Sequence, residues 1–133
     1  MASIRRELHI NAPAEQVWDA LRDVGAIHTR LSPGFLVDTR MDGDARWVTF
    51  SNGMVVKELI VDVDDAAKRV VWAAVGEKIV HHNGAAQVFA EDNGCRFVWT
   101  ADLLPHDLAP TVAAMMEAGI AAVKKTMETH KSK

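Results

Sequence analysis

Glu58 is the residue whose type and surroundings ask most directly for chemistry. In Met54-Val55-Val56-Lys57-Glu58-Leu59-Ile60-Val61 the side chains alternate, so Glu58 shares a face with Met54, Val56 and Ile60. A carboxylate among apolar neighbours is harder to ionise and can give or take a proton near neutrality. Its expected partner is one of two adjacent histidines, His81 and His82. Neighbours on a strand point to opposite sides, so the pair cannot hold one metal ion together and only one can face an interior. An inward histidine, taken here as His82, could exchange a proton with Glu58 or a ligand carbonyl. The Asn83-Gly84 irregularity leaves the choice between His81 and His82 open. Arg40 or Arg46 would enter the site if the strand register differed.

Other chemistry finds little support. Asp62, Asp64 and Asp65 begin like a calcium loop, but the required glycine and closing glutamate are missing. There is no phosphate-cradling glycine loop, dinucleotide fingerprint or nucleophile elbow. The single cysteine, Cys95, can form no internal disulfide and fits no zinc spacing. No cofactor and no metal are expected.

The elements that must position Glu58 are mostly strands. Asn52-Gly53 between two apolar runs is a strong hairpin signal, and a two-residue turn pairs Ser51 with Met54, Thr49 with Val56 and Trp47 with Glu58. Trp47, Thr49, Met54, Val56, Glu58 and Ile60 then share the inner face. Arg46, Val48, Phe50, Val55, Lys57, Leu59 and Val61 share the outer one. An alternating strand over residues 4–10 comes first, then a helix opened by Pro13 and Glu15 and ended by Gly25, and a second helical turn stopped at Ser32-Pro33-Gly34. Further strands are predicted over 35–41, 69–75, 79–90 and 95–104. A long helix closes the chain, with Leu108, Val112, Met115 or Met116, Ile120, Val123 and Met127 on one side. Lys124, Lys125, His130, Lys131 and Lys133 suit its negative end.

Composition sets the frame. The chain has 133 residues, 49% hydrophobic, with a formal net charge of -3. That predicts one domain over 1–133, able to build a core without disulfides. The acidic excess argues against a nucleic-acid partner. No apolar run approaches the roughly 20 residues of a membrane span, so no membrane insertion and a cytoplasmic location are expected. One helix covers one face of a meander, so the fold class is α+β, with a sheet of about six or seven strands curled around the last helix. Such a sheet tends to leave a cavity. Trp47, Thr49, Met54, Val56, Ile60, Trp72, Met116 and Ile120 are the candidate ligand-binding wall. An outer face carrying Val48, Phe50, Val55, Leu59 and Val61 would expose an apolar surface, which a homodimer or another protein could cover.

The segments "INAPAEQVWDAL", "FSNGMVVKELIVDVDD", "HHNGAAQV" and "GCRFVWTADLLP", followed by the long helix, resemble the polyketide cyclase/dehydrase and lipid-transport branch of the START-like, or helix-grip, superfamily. The resemblance runs from about Ser3 to Met127. It implies a helix-grip fold and a small hydrophobic ligand: a lipid, an isoprenoid, or an aromatic or polyketide-like molecule. In relatives that sense a plant hormone, a glutamate aligned with Glu58 faces the pocket. The gate and latch loops of those relatives match residues 51–54 and 77–80, but without the gate proline and with Lys-Ile-Val in place of the latch sequence. Hormone sensing is therefore not carried over, and an opening near Gly53 and Gly76 is. Binding without reaction is the first expectation. A cyclase, dehydratase or isomerase using Glu58 as acid or base is the alternative.

Overall fold

The computed structural model describes residues 1–130, so Lys131 and Lys133 at the predicted helix end lie outside the described residues. The chain runs β1 (Ala2–Ile10), α1 (Ala14–Leu21), α2 (Ile27–Arg30), β2 (Leu36–Asp42), β3 (Ala45–Phe50), β4 (Val55–Asp64), β5 (Arg69–Val75), β6 (His81–Glu91) and β7 (Gly94–Leu104). A 3-10 turn at His106–Leu108 leads into α3 (Ala109–His130). The seven strands form one antiparallel sheet in the order β1-β7-β6-β5-β4-β3-β2, the helix-grip arrangement of an α+β fold. Six strands follow one another as a meander, and β1 closes on β7.

Alternation makes the sheet two-faced. Val70, Trp72 and Ala74 are buried on the inner face of β5, and Phe97, Ala101 and Leu103 on that of β7. The pairing of β4 with β5 shifts between Ile60 and Asp62. A bulge of this kind bends a strand and increases its twist, which helps the sheet wrap around a helix. The helix is α3, whose Met116, Ile120, Val123 and Met127 are buried along one side. At position 119 a Cβ would come within 2.7 Å of Trp99 and 2.9 Å of Phe35. Gly119 thus lets both rings close on the helix backbone.

Two local expectations are corrected. α1 ends at Leu21 rather than at Gly25, and Arg30 ties the following turn back to Asp19 and Asp23. The β3–β4 hairpin is one residue longer in its turn than a two-residue loop. Phe50 N–H donates to the Met54 carbonyl at 2.8 Å, leaving Ser51, Asn52 and Gly53 between them. A type I′ turn needs positive φ at both central residues. Here only Gly53 has it, at 91°, while the Asn52 side chain accepts from the Met54 N–H at 2.9 Å. The pairs become Arg46 with Glu58, Trp47 with Lys57 and Val48 with Val56.

A one-residue slip turns a whole strand over. Arg46, Val48 and Phe50 therefore face inward, whereas Trp47 and Thr49 face outward. The outer apolar surface is correspondingly smaller than expected. Val48 is buried and Phe50 packs against the core, leaving Val55, Leu59 and Val61 exposed on β4.

Candidate functional site

The corrected register builds the site. Arg46 on β3 and Glu58 on β4 are direct cross-strand partners on the inner face. Arg46 Nε donates to Glu58 Oε1 at 2.8 Å, and Nη1 donates to the Val24 carbonyl at 3.1 Å. The guanidinium carbon lies 5.5 Å from the centre of the Trp72 ring. Only 5% of the Arg46 side chain and 13% of the Glu58 side chain remain exposed. The carboxylate expected to stand alone among apolar residues is thus held by a buried cation.

Trp72 has its own support. It pairs with Gly84 on β6, where a Cβ would come within 2.6 Å of the indole. Glycine at 84 therefore leaves the surface on which the indole rests. Trp72 also meets Trp99 edge-on, with ring centres 6.2 Å apart.

Beside this wall lies a pocket of about 510 Å³, between the sheet, α2 and α3. Its deep part is lined by Ile27, Leu31, Val48, Trp72, Phe97 and Val123, and its rim includes Met54, residues 76–79 and Leu108. Its lining is largely apolar, with Arg46, Glu58, His81 and His82 among the polar members.

The register also resolves the histidine choice. His82 stands opposite Leu103, in phase with inward-facing Gly84 and Ala86, whereas His81 Nε2 lies 2.6 Å from the Asn83 side-chain oxygen on the exposed side. His82 Nδ1 is buried without a hydrogen-bond partner among the described residues. Burial pushes the His82 imidazole below the ordinary histidine value, partly opposed by the negative charge of Glu58.

Of the residues singled out from sequence, Met54, Val56, Glu58, Trp72, His82 and Met116 line the pocket. Ile60 and Ile120 pack in the core beside it. Trp47 and Thr49 are on the wrong face for the reason above: Trp47 Nε1 donates to Asp42 at 3.3 Å, between the cations of Arg40 and Lys57. Arg46 is the pocket-lining residue assigned to the wrong face, and a three-residue turn would have placed it inward. Met115 and Met116 both reach the pocket, since residues about 100° apart on a helix can flank one opening. Cys95 is buried, and burial raises its thiol to about 11, which keeps it unreactive. Among the described residues no group of three His, Cys, Asp or Glu side chains could hold a metal ion, and no helix is long and apolar enough to cross a membrane.

A curved antiparallel sheet gripping a C-terminal helix beside an apolar pocket defines a helix-grip protein. The chain matches the family described as "Polyketide cyclase / dehydrase and lipid transport" over residues 1–128, and it belongs to that family. An uncharacterised protein from Bacillus thuringiensis superposes with a TM-score of 0.84 at 14% identity, over 95% of this chain and 98% of its own. A protein from Thermobifida fusca, solved by NMR in solution, gives 0.78 at 25% identity, over 97% and 95%. Norcoclaurine synthase from Thalictrum flavum, in complex with dopamine and hydroxybenzaldehyde, gives 0.70 at 18% identity, over 99% and 89%. No curated protein matches the sequence. Family membership supports the binding of a small molecule in general terms.

Proposed function

We propose that this protein binds one small, largely apolar molecule, of lipid, isoprenoid or aromatic character, in the pocket between the sheet and α3. The observation that carries this reading is the pocket itself. About 510 Å³ of space, walled by Trp72, Phe97, Trp99 and Met116 with one ion pair in the wall, is within the size range of small-molecule sites. Binding needs volume and shape complementarity, and the volume is present. Met116 and Met115 add a wall that can adapt to the ligand, because the unbranched thioether repacks readily.

The test is to titrate the purified protein with Nile red, a neutral apolar dye, and to repeat this with Ala74→Trp, which fills the pocket. Saturable binding to the wild type that is lost in a folded Ala74→Trp protein is the expected result. Absence of binding to the wild type, or undiminished binding to the variant, would overturn the reading. Solvent extraction of protein purified from its own host, followed by small-molecule mass spectrometry, would then name the ligand class.

A second reading has its own observation: Glu58 and inward His82 share one wall, as a proton-transfer enzyme of the cyclase, dehydratase or isomerase kind would require. Under it, Glu58→Gln abolishes turnover of a bound ketone while the protein stays folded and still binds Nile red.

A further inference from the structure

The pocket's charges balance. Its ionisable lining consists of Arg46, Glu58, Glu77, Lys78, His81 and His82. Arg46 donates to Glu58 at 2.8 Å and to the Val24 carbonyl at 3.1 Å, and its positive charge is balanced by the Glu58 carboxylate. Glu77 and Lys78 are neighbours on the exposed β5–β6 loop and offset each other in water. An incoming carboxylate would therefore be stripped of water against a wall whose one buried cation is already paired, and an unpaired buried charge is costly. A hydroxyl meets the opposite situation. Glu58 accepts one hydrogen bond from Arg46, whereas a carboxylate has about four acceptor positions.

We propose that the pocket selects a neutral apolar molecule carrying a hydroxyl group over a carboxylate of the same shape, with Glu58 as the acceptor of the hydroxyl proton. The proposal rests on the pocket-binding reading above and gives that ligand a polar end. It also assigns Arg46 a role in selectivity, since its charge is what Glu58 cancels.

The experiment displaces Nile red at pH 7 with 4-butylphenol, butylbenzene and 4-butylbenzoate, which share one tail and differ in the head group. For the wild type, 4-butylphenol is expected to bind about tenfold more tightly than either of the others, as one charge-assisted hydrogen bond allows. Glu58→Gln leaves Arg46 unpaired, so the order should invert: 4-butylbenzoate gains about tenfold and raises the variant's melting temperature, while 4-butylphenol loses its advantage. If Glu58→Gln does not fold, the double variant Arg46→Met with Glu58→Leu serves instead. It should lose the phenol preference without gaining affinity for the benzoate. Equal affinities for the three probes, tightest binding of the benzoate to the wild type, or an order unchanged by these substitutions would overturn the proposal while Nile red binding keeps the pocket reading intact. Failure of Nile red to bind would remove both.

Discussion

Replacing Arg46 by methionine tests the energetics on which the site depends. The substitution keeps much of the aliphatic stem but removes the guanidinium from between Glu58, the Val24 carbonyl and the Trp72 ring. With 5% and 13% of the two side chains exposed, both charges are nearly out of water. Removing one partner of a buried pair costs about 3 to 5 kcal/mol, because the other charge stays behind uncompensated. Glu58 borders the pocket, and water can reach it from that side, so the lower end, about 3 kcal/mol, applies here. Adding Glu58→Leu to Arg46→Met removes the stranded charge and leaves chiefly the unpaired Val24 carbonyl, a loss of about 1 kcal/mol. The double variant should therefore be more stable than the single one by about 2 kcal/mol, as the difference of those two costs. Urea unfolding followed by far-ultraviolet circular dichroism measures both. An Arg46→Met protein within about 0.5 kcal/mol of wild type, the range of an ordinary surface change, would refute the burial argument. So would a double variant no more stable than the single.

Other consequences are simpler. Gly84→Ala places a Cβ within 2.6 Å of the Trp72 ring and should destabilise by about 1 to 3 kcal/mol, with a change in near-ultraviolet circular dichroism as Trp72 is displaced. Cys95, with its thiol raised to about 11, should resist a thiol reagent such as DTNB at pH 8 in the native protein and react only on unfolding. His82 is held below the ordinary value of 6.5. The unfolded chain therefore binds its proton first, and stability present above that value is lost as pH falls through 6.5 toward the folded value. His82→Leu should flatten that acid-side loss in melting temperature, whereas an unchanged slope would place the histidine in water.

How far the sequence could be read depends on which signal each feature uses. Strand alternation in β5, helix periodicity in α3 and the turn residues between them are local, and they placed the architecture and the inward face of β4, Glu58 included. The hairpin register is a different kind of quantity. Asn52-Gly53 supports either a two-residue turn with both residues at positive φ or a longer one in which only Gly53 has it. The longer form carries a side-chain hydrogen bond, Asn52 accepting from the Met54 N–H, that no periodicity reveals. The length of the turn decides whether tryptophan or arginine faces Glu58. The inward direction of His82 depends on β6 keeping phase through Gly84, which needs the Trp72 contact and is equally invisible in one sequence.

Arg46 also separates the two functional readings. Had Trp47 faced Glu58, the carboxyl would stand in apolar surroundings, the situation suited to a general acid. With a guanidinium hydrogen-bonded to one of its oxygens, Glu58 is arranged to accept a hydrogen bond. Catalysis would have to route a proton between Glu58 and His82, the inward histidine of the same pocket, through one substrate atom. Binding makes no such demand: Glu58 and Arg46 suffice, and His82 only tunes affinity. Replacing His82 by glutamine, which keeps a polar end but cannot shuttle a proton, therefore divides the readings. Unchanged affinity for 4-butylphenol together with lost turnover of a ketone would favour the enzyme, and a small affinity change with no turnover in either protein would favour the binding protein.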